Sequence, residues 1–303
     1  MPTRVSSAFK TEHDSKWSPH PAGNSRQSDQ LALWSAMGTG DQRKMDDPDE
    51  LCFCAKRTTE FSGLGGWSLG DCLQRCKMST MNGINAYGKE LSNEQIKNKE
   101  HRDFVGGLWD EIGKLQMDFL IKSGLKPHHK LLDIGCGSLR GGIHYVKYLR
   151  EGNYFGLDIN DSLIKAGKIE IEEAGLSNKN PNLIVDDKFS FDLFGSKFDF
   201  MVSISVFTHL PINIIVRCLS KARESLTQNG IYYSTFFQAP TSCHLKPIKQ
   251  IPGGVFTNYD SDPFHYSIEE LAIMAKLANL EVNIIGDWEH PRNQKMAAFS
   301  LPK

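Results

Sequence analysis

From about residue 104 the hydrophobic positions fall into short, regular groups. Phe104, Leu108, Ile112, Leu115 and Phe119 recur at helical spacing and predict one amphipathic helix. Residues 130–134 (KLLDI) read as a short buried strand, followed by a glycine cluster and a helix to about Leu149. Residues 153–157 (NYFGL) form a second strand, with Asn160 or Asp161 placed to cap the next helix. A third strand falls at 183–185 and a fourth at 198–206. Pro211 opens a helix whose Ile215, Cys218, Leu219, Ala222 and Leu226 share one face. Residues 230–237 give a fifth strand. Ser267 and Glu270 are spaced as a capping box at the start of another helix. Two last strands, near 280–285 and 295–301, suit an antiparallel edge pair. Strands alternating with helices predict a mostly parallel sheet with helices on both faces.

The first part of the chain reads differently. Residues 1–50 hold 13 of the AVILMFWYC set, too few to offset the ordering entropy of a packed core. Residues 51–100 carry Gly63, Gly65, Gly66 and Gly70 and no long helical period. The expected division is a poorly ordered or irregular extension over 1–99 and one domain over 100–303. Cys52, Cys54, Cys72 and Cys76 lack the C-x-x-C pairs of a zinc site. Cys72 and Cys76 are followed at the third position of an iron–sulfur triplet by Ser79, so ordinary thiols are expected.

Charge adds an exclusion. Lys and Arg total 35 against 36 Asp and Glu, a net charge of -1, and so lack the basic excess of a protein that binds a nucleic-acid backbone. No apolar run approaches the ~18–20 residues of a membrane span, and the first residues show no signal-peptide core. A cytoplasmic protein with reduced cysteines is the expectation.

The sharpest chemical signal is LDIGCGSLRGG over 132–142, between a predicted strand and a predicted helix, where α/β sheets bind ligands. Gly135 and Gly137 let the backbone turn tightly beside a ligand. The dinucleotide fingerprint needs glycine at 140, where this chain has Arg140, so a pyrophosphate is disfavoured. Asp158 ends the second strand 21 residues after Gly137, placed to accept both hydroxyls of a ribose. Together the two features point to an adenosine-containing ligand.

These residues resemble the class I S-adenosylmethionine-dependent methyltransferases: LDIGCG (132–137), GLD (156–158), Phe198-Asp199 leading into the fourth strand, and SVFTHLP (205–211) at its end. The resemblance covers about residues 100–303. It implies a Rossmann-like, doubly wound α/β fold with a mostly parallel seven-stranded sheet, an antiparallel C-terminal edge hairpin, and S-adenosylmethionine as cofactor. By the resemblance, Asp133, Gly135, Cys136 and Gly137 surround the methionine part of the cofactor. Asp158 holds its ribose, Ile159 packs on adenine, and Ser205 lines the site at the end of the fourth strand. Asp186 or Asp187 faces the adenine edge, with Asp187 preferred. Arg140 leaves carboxylate binding open.

His209 follows the fourth strand at its carboxyl end and is the candidate general base; the alternative is a histidine that only shapes its loop. His265 suits loop packing better than substrate contact. His290 to Arg292 form either a substrate rim or a structural turn. Trp109 is a minor pocket candidate, in a stretch that such enzymes use as a cover. The absence of an Asn/Asp-Pro-Pro-Tyr/Phe stretch and of a Pro-Cys pair argues against the DNA-methylating types. Residues 203–207 carry no carboxylate, so no catalytic metal is expected. The expected reaction is methyl transfer to an oxygen or nitrogen of a small-molecule, sugar or lipid-like acceptor. The alternatives are a silent cofactor-binding module and an NAD-dependent oxidoreductase. Oligomeric state is left open.

Overall fold

A computed structural model describes residues 86–303. The cysteine cluster of Cys52, Cys54, Cys72 and Cys76, and the glycines between 63 and 70, lie outside the described residues. The strands are β1 (Leu131–Ile134), β2 (Tyr154–Asp158), β3 (Asn182–Val185), β4 (Phe198–Ser203), β5 (Leu226–Gln238), β6 (Ile248–Lys249), β7 (Phe256–Thr257), β8 (His265–Tyr266), β9 (Glu281–Gly286) and β10 (Gln294–Ser300). The helices are α1 (Asn93–Lys97), α2 (Glu100–Phe104), α3 (Trp109–Lys122), α4 (Gly142–Tyr148), α5 (Asp161–Glu173), α6 (Ile212–Ser225) and α7 (Ile268–Leu277).

The main sheet runs β3-β2-β1-β4-β5-β10-β9. The first five strands are parallel, and β10 joins β5 and β9 antiparallel. The chain winds outward from β1 through β2 to β3, then returns to β4 on the other side of β1. That reversal is the topological switch point, where the carboxyl ends of parallel strands leave a crevice. Alternating side chains of each strand serve opposite faces. Leu132 and Ile134 join Ile215, Leu219, Leu271 and Met274 of α6 and α7 on one face. Leu131 joins Met117 and Leu120 of α3 and Tyr145 and Val146 of α4 on the other. Both layers are closed by residues under 10 % exposed.

Three expectations need correction. The sheet has eight strands, because β8 pairs parallel with β5 at Phe237 and His265. A two-residue strand carries no period to read. The helix expected through Phe104 and Phe119 is two helices. Gly106 and Gly107 adopt φ of 98° and 61° between α2 and α3, and Leu108 follows at 47°, which ends the first helix and re-aims the second. Helix α6 stops at Ser225, so Leu226 opens β5 instead of continuing the helical face.

The segment 86–99, which the expected boundary leaves outside the domain, packs on it. Asn160 caps α5 by accepting from the Ser162 and Leu163 amides, and its side-chain amide donates to the Tyr87 and Lys89 carbonyls at 2.8 and 2.9 Å. The Leu91 amide donates to Ser162 Oγ at 2.9 Å. No helix among the described residues is long and apolar enough to cross a membrane.

Candidate active site

A cleft opens over the carboxyl ends of β1, β2 and β4. Asp133, Gly135, Cys136, Gly137, Asp158, Ile159, Ser205 and His209 all line it. The glycine loop explains its own composition. The amides of Gly135 and Cys136 both donate to the Leu157 carbonyl, at 2.9 and 3.0 Å, which folds the loop back over β2. Gly135 and Gly137 have φ of 67° and 54°. A Cβ on Gly135 would stand 2.5 Å from Val206 Cγ2, and one on Gly137 would stand 3.0 Å from Val105 Cγ1. Side chains there would strain the backbone and fill the cradle.

Two carboxylates sit in the floor. Asp158 Oδ2 accepts the Gly137 amide and Oδ1 the Asn160 amide, each at 2.9 Å. Burial raises its pKa, and these amides pull it back. Asp133 accepts the Tyr154 hydroxyl at 2.9 Å. Burial pushes it up to about 7, against the Tyr154 hydrogen bond, with Asp158 adding to the rise. Among the described residues neither carboxylate has an ion-pair partner at salt-bridge distance. A floor holding two buried acids suits a ligand that brings hydroxyls and positive charge.

Just past the end of β3, Asp186 lines the cleft, whereas Asp187, the residue preferred from the sequence, is not among its lining residues. Asp186 Oδ2 accepts the Lys188 and Ser190 amides, at 3.0 and 2.9 Å, and its own amide donates to the Asp158 carbonyl. This turn carries Phe189, at φ 59°, into the cleft beside Ile159. Sequence reasoning missed Phe189, because a left-handed non-glycine residue gives no pattern. It also missed Tyr87, which lines the cleft from a segment read as extension, and Val105, which lines it from the break between α2 and α3.

Ser205 is likewise left-handed, at φ 61°. Its amide donates to Thr235 Oγ1 at 2.7 Å and its hydroxyl to Gln294 Oε1 at 3.0 Å, which fixes the end of β4 against β5 and β10. Past it, a 3₁₀ turn over Phe207–His209 brings His209 to the rim. His209 Nδ1 lies 2.5 Å from Asp262 Oδ1, and its ring packs edge-on against Tyr87 with centroids 4.7 Å apart. Asp262 arrives because the Phe264 amide donates to the Thr208 carbonyl at 2.7 Å and the Tyr266 hydroxyl donates to the Leu210 carbonyl.

The remaining candidates fall outside the cleft. His265 is buried between Thr257 Oγ1 and the His244 carbonyl, the packing role. His290 stacks on Trp288 and accepts the Arg292 amide, a structural turn. Trp109 does not line the cleft; it lies against the Arg102 guanidinium, 4.8 Å from its ring centre. Arg102 in turn makes two hydrogen bonds to Glu170, at 2.8 and 2.7 Å, and His101 Nε2 lies 2.9 Å from the same carboxylate. This cluster fastens α2 to α5.

Residues 132–232 match the family model described as a methyltransferase domain. The chain is 24% identical over 156 residues to a ubiquinone biosynthesis O-methyltransferase of Hahella chejuensis, covering 48% of this chain and 62% of that one. It is 25% identical over 163 residues to a 24-methylenesterol C-methyltransferase 2 of rice, Oryza sativa, covering 52% and 42%. The chain thus spans less than two thirds of the length of these curated relatives. An S-adenosylmethionine-dependent methyltransferase from Clostridium acetobutylicum shares the fold with a TM-score of 0.52 at 10% identity, over 70% of this chain and 99% of that one. The glycine cradle, Asp158 and His209 thus fall within the stretch that matches a methyltransferase domain, on a fold shared with an S-adenosylmethionine-dependent methyltransferase.

Proposed function

We propose that this chain transfers a methyl group from S-adenosylmethionine to an oxygen or nitrogen nucleophile of a small-molecule, sugar or lipid-like acceptor, with no metal taking part. The cofactor supplies a methyl group already activated by its sulfonium. Asp158 accepts the ribose hydroxyls. Asp133, Gly135, Cys136 and Gly137 hold the methionine portion, and Ile159, Asp186 and Phe189 enclose the adenine. Ser205 holds the end of β4 in the shape that the cleft requires.

The observation that carries the reaction type is the His209–Asp262 pair at the rim of the same cleft. A carboxylate on Nδ1 fixes the tautomer that leaves Nε2 basic, and it steadies the imidazolium once a proton arrives. His209 then removes the acceptor's proton as the nucleophile gains its methyl group. Tyr87 and Val105 cover the cleft, and the residues around it hold the acceptor in line, an orientation effect. The homologous O-methyltransferase of ubiquinone biosynthesis favours a hydroxyl acceptor among these choices. The test is a screen of phenols, hydroxy acids and sugars for release of S-adenosylhomocysteine, repeated with His209→Asn. Turnover that survives this substitution would leave orientation alone to drive the reaction.

A further inference from the structure

Arg140 stands where a dinucleotide-binding loop would carry glycine, and it is treated unlike any other cation among the described residues. Its side chain is buried, 8 % exposed, and it lines the cleft. Nη1 donates to the Val105 and Gly107 carbonyls at 2.9 and 3.0 Å. Nε is buried with no hydrogen-bond partner. Neither Nε nor Nη2 is among its hydrogen bonds to the described residues. Arg292 stands behind it and donates to the Gly106 carbonyl. Nη1 of Arg292 and Nη1 of Arg140 lie 2.7 and 3.7 Å from the point where a Cβ would stand on Gly106. Two guanidiniums therefore converge on one loop, and neither has a carboxylate at salt-bridge distance among the described residues. His290, buried beside them, accepts the Arg292 amide through Nδ1 and has no partner at Nε2.

Burying the Arg140 charge beside a second, half-buried guanidinium is costly unless an anion completes the set. Three carbonyls of the 105–107 turn offset part of that charge, but a carbonyl dipole is not a counter-ion. Burial and the neighbouring Arg292 lower the Arg140 pKa to about 10, the direction expected of a cation lacking its anion. A planar guanidinium that lines a cleft and keeps N–H groups without partners suits a carboxylate, which can accept two parallel hydrogen bonds.

We infer that Arg140, backed by Arg292, is a carboxylate-binding subsite of the cleft. The carboxylate comes either from the cofactor's amino-acid end or from an acidic acceptor. The inference rests on the reading of the cleft as the cofactor site. Because the same arginines hold the 105–107 turn, a bound carboxylate also tightens the cover over the cleft.

The experiment is calorimetry on the full chain with two probes that differ only in the carboxylate, S-adenosylhomocysteine and its decarboxylated analogue. A third titration adds benzoate to protein saturated with S-adenosylhomocysteine. A cofactor carboxylate at Arg140 makes the decarboxylated analogue bind roughly ten- to hundredfold more weakly, the worth of a hydrogen bond to a charged group. Arg140→Gln then levels the two probes, and Arg140→Lys restores part of the difference. An acceptor carboxylate leaves the two probes equal and gives benzoate binding that Arg140→Gln abolishes. Equal probes together with no benzoate binding in the wild-type protein overturn the subsite, and this outcome needs no variant to fold. Wild-type protein that fails to bind S-adenosylhomocysteine at all would instead overturn the underlying cofactor reading.

Discussion

Asp133 should make the affinity of the cleft for S-adenosylhomocysteine depend on pH. In the ligand-free protein its carboxyl is pushed up to about 7 by burial, against the pull of the Tyr154 hydroxyl and with Asp158 adding to the rise. An ordinary aspartate titrates near ~3.9. The folded state therefore holds a proton that the unfolded chain has lost between about pH 4 and 7. Stability of the ligand-free fold should fall as pH rises through that window and level off above it. A ligand bringing a positive ammonium favours the ionised carboxylate, so binding must expel the proton. With a carboxyl near 7, about ten in eleven molecules carry the proton at pH 6 and about one in eleven at pH 8. Affinity for S-adenosylhomocysteine should be about tenfold weaker at pH 6 than at pH 8, or ~1.4 kcal/mol. Calorimetry at pH 6 in buffers of different ionisation enthalpy should show close to one proton released per ligand, on the order of 0.9. Asp133→Asn should flatten the profile. A flat wild-type profile, or an unchanged slope in Asp133→Asn, would refute the reasoning.

Other substitutions probe the rest of the site. Asp158→Ala should weaken S-adenosylhomocysteine binding by roughly 1.5–3 kcal/mol, the range for hydrogen bonds to a charged group, and unchanged affinity in a folded variant would remove Asp158 from the ribose site. Once an acceptor turns over, His209→Asn should lower the rate by roughly 10²–10⁴-fold with cofactor affinity unchanged. Asp262→Asn should lower the rate less than His209→Asn, since Asp262 acts through His209; an unchanged rate would count against the pair. Glu170 is pushed up by burial, but Arg102 and His101 outweigh that and leave its pKa lowered. Its contribution is complete above the ordinary glutamate pKa of ~4.3 and is lost as pH falls through the lowered value; denaturation of Glu170→Gln should show this acid-labile part missing. A chain starting at Asn98 should lose ~1–3 kcal/mol in denaturant unfolding, because the acceptors of the Asn160 side chain go with residues 87 and 89. Unchanged stability would show that this segment merely rests on the domain.

Much of the site was legible because it is written locally. Gly135 and Gly137 must be glycine for a left-handed turn, and that requirement lies within three residues. Asp158 is tied to them by the fixed length of one βαβ unit. Asp186 could not be separated from Asp187, since adjacent residues after a strand differ only in how the following turn closes. Here the Lys188 and Ser190 amides chose Asp186. Phe189 stayed hidden for a related reason: its left-handed backbone is imposed by that turn, not by its own side chain.

The sequence by itself determined the alternation of strands and helices, the glycine cradle, the acid at the end of β2 and the place of His209 after β4, because each depends on neighbours close in the chain. Only the tertiary structure decided what crosses the chain. Asp262 reaches His209 across 53 residues, and Arg292 meets Gly106 across 186. The break between α2 and α3 belongs with these. The period of Phe104, Leu108 and Ile112 continues through it, but the carbonyls freed at 105–107 find their donors in Arg140 and Arg292, two side chains that no local pattern brings together. Backbone groups left unpaired by a turn must find partners somewhere, and which partners arrive is set by the fold.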